Sequence, residues 1–413
     1  MKELLEILSA ARPLRERGEA AVLATVVEVR GSTYRRTGAR LLLSEHGWVA
    51  GGVSGGCLEG DILRKAWWRT QASGHALVTY DSTIEDDEEM AWGLGLGCNG
   101  VVRVLLERLP GDETEAETET EPEPESFAFL RRCLASRQEG AYATIYESSG
   151  DSDWVGQRFW CGISETGATF ADAALQSRMR RDARTVLAER VSRNCLYLLE
   201  DGGTVSVFWE AIIPPTPLVI YGAGHDTLPV IRLAKELGWH VTVADPRAPG
   251  AAIGYEEALM RRFPGADAVI AGPPEVLAQH ISFDANTAVL LMTHQYFDDL
   301  ALLPAVLRSA ACYVGVLGPR KRAERLLAEL ARRGENVAPD ALRKLHAPVG
   351  LDIGADTPEE IALSAISEIK AVLTGRSGGP LRGQGGTIHA RAGAEENSPL
   401  PATEKVTCLR TAK

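Results

Sequence analysis

The sequence predicts an α/β protein, with an N-terminal α+β domain followed by a C-terminal Rossmann-like domain built on a doubly wound parallel sheet. Three observations carry this prediction. Over residues 1–110 a leading helix gives way to short apolar runs separated by Gly-rich turns, the pattern of strands in an α+β domain. Beyond residue 216 continuous apolar strands alternate with helical segments, as in a parallel sheet covered on both faces. The first of those strands, LVIYGAG at 218–224, ends in glycines that open a helix.

Taken in order, residues 2–17 form an amphipathic helix, and 21–29, 39–43, 75–80 and 101–109 read as strands of a domain spanning 1–111. Residues 112–126 follow as an acidic linker, since eight carboxylates and no basic residue in 112–125 cannot bury apolar surface. The segment 127–213 reads as the remainder of the first lobe: a helix at 127–137, strands at 141–147, 194–200 and 204–212, and a charged helical stretch at 171–190. PPTP at 214–217 stiffens the chain and marks a boundary. The Rossmann-like domain covers 216–373, with strands at 218–224, 240–247, 267–272, 288–294 and 312–318. Thr357-Pro358 with Glu360 is a helix start, and the Gly/Ser/Pro-rich tail 374–413 is expected to be disordered.

The 413 residues carry a formal charge of −12, which argues against a general nucleic-acid binder, because phosphate neutralisation needs clustered Lys and Arg. No stretch approaches the roughly 20 apolar residues of a membrane span, and the first residues read as a helix rather than a signal peptide, so a cytoplasmic protein is expected. Seven cysteines without a C-x-x-C pair argue against a disulfide framework or a structural zinc site.

Four places could carry chemistry. Gly222-Ala-Gly224-His225-Asp-Thr227, with Asp245 ending the next strand, sits in the context of a dinucleotide fingerprint, although Thr227 replaces the third glycine. A turn that binds nothing is the alternative. The loop Arg30–Arg40 holds four arginines, among them Arg35, Arg36 and Arg40, between glycines that free backbone N–H groups to help form an anion cradle. A solvated hairpin would look the same. In Gly51-Gly52-Val-Ser54-Gly55-Gly56-Cys57-Leu-Glu59-Gly-Asp61 a thiol stands at a helix start, where the helix dipole favours a thiolate able to act as nucleophile or soft-metal ligand. An inert buried cysteine is the commoner fate of that residue type, but the flanking glycines remove the side chains that would bury it. Cys98 lies in a second glycine run, and the two loops together suggest one shared site. Finally, His294 closes a strand at the end where open α/β sheets bind ligands; a loop histidine with no ligand fits equally well.

These motifs in series, RGSTYRRTGARLLL, GGVSGGCLEGD, GLGLGCNG, YGAGHDTLPVIRLAKELGW, VLLMTH, YVGVLGPRKR and PVGLDIGADTPEE, closely resemble the xanthine dehydrogenase accessory factor family, the XdhC/CoxI-type proteins. The resemblance covers roughly 20–109 and 216–373. It implies a chaperone that binds the molybdenum cofactor (molybdopterin), supports its sulfuration with a cysteine desulfurase, and delivers it to a xanthine dehydrogenase-like molybdenum hydroxylase. It also implies a homodimer. Carried over by position, Cys57 and Cys98 are the reactive thiols, with Cys57 the molybdenum contact. Arg35, Arg36, Arg40, Ser54, Gly55, Gly56, Gly222, Gly224, His225, Asp245 and His294 are the candidate cofactor contacts. The alternatives are an NAD(P)-dependent oxidoreductase using the Gly222 turn, with His225 and His294 as its acid/base candidates, and an interaction module that binds partners but no cofactor.

Overall fold

A computed structural model of the chain describes residues 2–31, 33–82, 100–109, 124–247 and 254–383. They fall into two compact units that divide between Pro214 and Pro215. Among the described residues no helix is long and apolar enough to cross a membrane.

The first unit opens with α1 (Lys2–Glu16), which buries Leu4, Ile7, Leu8 and Leu14 at the three-to-four spacing of an amphipathic helix. Next come β1 (Ala21–Gly31), β2 (Arg40–Ser44), β3 (Gly47–Gly51), α2 (Glu59–Arg69), β4 (His75–Asp81) and β5 (Gly100–Leu109). Their strands form an antiparallel sheet in the order β3-β2-β1-β5-β4. The chain then repeats the plan with α3 (Glu125–Ala135), β6 (Gly140–Ser148), β7 (Arg158–Cys161), β8 (Thr166–Ala168), α4 (Ala173–Glu189), β9 (Arg193–Leu198) and β10 (Thr204–Ile212). The second sheet runs β8-β7-β6-β10-β9, the same order strand for strand. Residues 125–212 are therefore a second copy of the first plan rather than an extension of its sheet.

Buried ion pairs join the two copies reciprocally. Arg40, the first residue of β2, donates to both oxygens of Glu210 at 3.0 and 2.5 Å. Arg158, the first residue of β7, donates to both oxygens of Glu107 at 2.6 and 2.7 Å. Each glutamate stands two residues before the end of its strand. Each arginine also donates to the carbonyl two residues earlier, Gly38 or Gly156, and both glycines adopt left-handed φ near 90°. β1 bulges at Val27 and β6 at Tyr146, and these side chains meet Leu105 and Phe208 in one buried cluster. Like contacts made in both directions are the signature of an approximate two-fold arrangement.

The second unit holds β11 (Pro217–Tyr221), α5 (Thr227–Glu236), β12 (His240–Asp245), α6 (Tyr255–Arg262), β13 (Ala268–Ala271), α7 (Pro274–His280), β14 (Ala288–Leu291), α8 (Tyr296–Arg308), β15 (Tyr313–Val316), α9 (Arg320–Arg332), α10 (Pro339–Leu342), β16 (Leu345–His346) and α11 (Pro358–Leu373). Its sheet is wholly parallel, in the order β13-β12-β11-β14-β15-β16. Alternate residues of β11 feed opposite faces: Leu218 and Ile220 pack with α5, α6 and α11, while Val219 and Tyr221 pack with α7, α8 and α9. This is the doubly wound Rossmann-like sheet that the strand-helix alternation predicts. Its strand order reverses between β11 and β14, so the loops after those two strands flank the crevice where such sheets take ligands. The predicted start of α11 is realised as a capping box, with Thr357 Oγ1 accepting from Glu360 N and Glu360 Oε2 accepting from Thr357 N.

Candidate functional site

Glu59, in the first turn of α2, holds the loop that carries Cys57. Its side chain is 1% exposed and turns back along the chain. Oε1 accepts from the N–H groups of Val53 (3.0 Å) and Ser54 (2.7 Å), and Oε2 accepts from Gly56 N (3.0 Å) and the Ser54 hydroxyl. Burial acts to raise this carboxyl's pKa, but the Ser54 hydroxyl and the backbone donors outweigh it and keep the group below the usual glutamate range. The Ser54 hydroxyl in turn accepts from Gly56 N (3.1 Å), Leu58 N (3.0 Å) and the Cys57 thiol (3.5 Å). Such a knot fixes the backbone on either side of Cys57 while the thiol itself stays free and exposed. Of the other cysteines, Cys133 and Cys161 are buried free thiols and Cys312 is a half-buried one, while Cys195 is disulfide-bonded.

Two aromatic side chains approach the glycines of this loop. A Cβ built on Gly55 would stand 3.5 Å from Cδ1 and Cε1 of Tyr34, and one on Gly52 would stand 3.7 Å from Cζ2 of Trp48. Trp48 Nε1 donates to Gly51 O at 2.9 Å. Asp61, also in the first turn of α2, has a structural role. Burial acts to raise its pKa, yet Lys65 at 2.6 Å and the Tyr80 hydroxyl at 3.0 Å hold it ionised below its usual range. In the second copy, α4 starts from Asp172, which accepts from Leu175 N, and no glycine-cysteine loop precedes it. Among the described residues, only the first copy carries this arrangement.

The arginine loop is largely engaged by the protein itself. Arg40 is buried against Glu210, so it is withdrawn from the anion cradle that the sequence suggested. Arg35 pairs with Glu3 of α1, whose other oxygen accepts from Arg40 N at 2.7 Å. Arg36 is exposed. Cys98 lies outside the described residues.

In the second unit, Gly222 adopts φ 134°, and a Cβ there would fall 2.2 Å from Met292 O, so only glycine allows the loops after β11 and β14 to approach this closely. Thr227, at the third-glycine position, is fully buried and donates to Gly222 O at 3.2 Å, filling the space between helix and turn. The open face of Gly224 is occupied by a carboxylate: a Cβ there would meet Asp226 Oδ1 at 2.3 Å. Asp226 is the N-cap residue of α5, yet its side chain makes no capping bond and instead accepts from His294 Nε2 at 2.8 Å. His294 reaches it from a left-handed backbone (φ 57°). Thr293 beside it is pinned through Asp299 (2.6 Å), which Arg322 holds from α9 at 2.6 Å. Asp245 corrects another expectation. Its side chain is 1% exposed; Oδ1 accepts from Arg247 N and Nε, and Oδ2 accepts from the Tyr255 hydroxyl. The oxygens expected to meet a ribose are thus taken by neighbours, and so is Arg247. Burial first, then the charge of Asp299, raises the pKa of the Asp298 carboxyl. His225 is exposed at the same turn.

The sequence matches two family models in succession, the XdhC and CoxI family over residues 14–81 and the XdhC Rossmann domain over 218–369. The chain is 32% identical over 358 residues to a probable xanthine dehydrogenase subunit of Bacillus subtilis, covering 86% of this chain and 94% of that protein. The chain belongs to the XdhC and CoxI family. Within it, the molybdenum cofactor insertion chaperone PaoD of Escherichia coli is 24% identical, over 86% of this chain and 84% of its own. A crystal structure described as a xanthine dehydrogenase from Bacillus halodurans superposes with a TM-score of 0.67 at 28% identity, covering 91% of this chain and 96% of that one. The XdhC and CoxI model runs from the last turn of α1 to the end of β4 and includes the Cys57 loop, while the XdhC Rossmann model spans the Gly222 turn and His294.

Sequence reading overlooked Tyr34, Trp48 and Asp226. Tyr34 sat among arginines that drew attention to charge, and Asp226 reads as an ordinary N-cap. Only the fold places them against the glycines.

Proposed function

We propose that this XdhC/CoxI-family protein is a molybdenum cofactor insertion chaperone for a xanthine dehydrogenase-like hydroxylase, and that it holds the cofactor at the Cys57 loop. The single observation that carries this reading is the presentation of Cys57: a free, exposed thiol on a backbone locked by Ser54 and Glu59. Molybdenum bound by dithiolene sulfur is soft, and a thiolate is the protein ligand suited to it. Exposure suits a donor that must release its cargo to a partner. Among the described residues nothing lies within 4 Å of a Cβ built on Gly56, which leaves the approach to the thiol open. The finer parts of the reading rest on the resemblance: a cysteine desulfurase as sulfur donor, Cys98 as a second thiol, a homodimer, and residence in the cytoplasm with the client enzyme.

The oxidoreductase alternative draws less support. Asp226 puts a negative charge where a dinucleotide would lay its pyrophosphate, and Asp245 has no oxygen turned to a ribose. His294 is bonded to Asp226.

The test is molybdenum and pterin analysis of the full chain purified from a cofactor-producing host, for the wild type and Cys57→Ala. The reading expects both to be retained by the wild type and lost by the variant, with matching thermal unfolding of the two proteins. Unchanged molybdenum content and unchanged activation of the hydroxylase by Cys57→Ala would overturn it.

A further inference from the structure

Tyr34 is 69% exposed and Trp48 52% exposed, yet neither ring is loose. One face of Tyr34 rests on Gly55, with Cγ, Cδ1 and Cε1 at 3.5–3.6 Å from a Cβ built there. Trp48 is oriented by its Nε1 bond to Gly51 O, and its Cζ2 atom comes to 3.7 Å from a Cβ built on Gly52. Single exposed apolar residues are ordinary on a protein surface. Two aromatic side chains beside one short glycine turn are not scattered. That turn also presents the exposed thiol Cys57. A flat ring lies against peptide backbone only where no Cβ intervenes, which Gly55 provides for Tyr34, and at 69% exposure the rest of that ring is left in water.

We propose that Tyr34 and Trp48 form the ring-binding part of the Cys57 site, receiving the flat conjugated heterocycle of a pterin-type ligand by stacking. This rests on the reading that the Cys57 loop holds the cofactor, and it names the residues that recognise the organic part rather than the metal. A fused heterocycle suits the pair because stacking needs only a π face and tolerates variation at the ring edge. The thiol then meets the soft end of the same ligand. Tyr34 acts through its ring, so phenylalanine serves equally well at that position.

The experiment titrates the full chain with neopterin, a metal-free pterin, and follows the anisotropy of neopterin fluorescence. The wild type, Tyr34→Phe, Tyr34→Ala and Trp48→Ala are compared. Stacking is worth about 1–3 kcal/mol by alanine substitution, so Tyr34→Ala is expected to weaken binding at least fivefold. Trp48→Ala weakens it in the same direction, and Tyr34→Phe stays within twofold of the wild type. No saturable binding by the wild type, or Tyr34→Ala within twofold of it, overturns the inference. The two proposals fail separately. If Cys57→Ala retains molybdenum while Tyr34→Ala loses neopterin, the metal assignment falls and the ring site stands; the converse result leaves the metal assignment and removes the ring site.

Discussion

Replacing Glu59 by glutamine tests whether the loop knot is what presents Cys57. The carboxylate accepts four hydrogen bonds, two at each oxygen. A glutamine of the same shape keeps one oxygen and turns an NH2 group toward two donors. Two charge-assisted bonds are therefore lost, each worth about 1.5–3 kcal/mol, or roughly 3–6 kcal/mol before relaxation. Gly56 is exposed, so its N–H recovers a bond to water, and the Ser54 hydroxyl can rotate to another acceptor. The net cost is then expected at about 2–4 kcal/mol, localised to residues 53–59. Because a loop can open without the whole unit unfolding, the assay is native-state amide hydrogen exchange at Val53, Ser54 and Gly56. A 2–4 kcal/mol loss speeds exchange of these amides by about 30-fold to 1,000-fold. Wild-type exchange at all three amides, with wild-type molybdenum retention, would refute the reasoning.

The same carboxyl makes the loop acid-sensitive. Its folded pKa lies below the unfolded value, so its stabilisation is fully present above the ordinary glutamate pKa of about 4.3 and is lost as pH falls through the lower folded value. The difference in loop exchange between wild type and Glu59→Gln should therefore vanish at the acid end. Glu210→Gln and Glu107→Gln each leave a buried arginine poorly compensated, at about 3–5 kcal/mol. The two-fold relation predicts that the two urea-measured costs agree within about 1 kcal/mol, and a much larger difference would contradict it. Asp226→Ala removes the carboxylate from the face of Gly224 without removing a helix cap, so calorimetry should detect ADP binding at least tenfold tighter than in the wild type. Equal affinity would mean that Asp226 does not guard the turn.

How much of this was legible in the sequence depends on whether the deciding interaction is local. The parallel sheet, the Gly222 turn and the Thr357 cap are written in stretches of fewer than twenty residues, where strand-helix alternation and capping chemistry act, and the structure places them where they were read. The Cys57 loop was equally legible, because its glycines, serine and glutamate stand within a few residues of one another. The duplication in the first unit was not. β7 and β8 are four and three residues long, too short for a period to register, so the second copy read as a continuation of the first lobe.

By itself, the sequence determined the fold class of each half and the loop that presents a thiol, because backbone propensity, hydrophobic period and glycine content act over short range. The tertiary structure alone decided which charges are available. Arg40 sits 170 residues from Glu210, and His294 68 residues from Asp226, so no local pattern records that these partners meet. Folding brings Arg40 and Asp245 to partners because a buried charge must be paired, and it buries both while leaving Cys57, Tyr34 and Trp48 exposed.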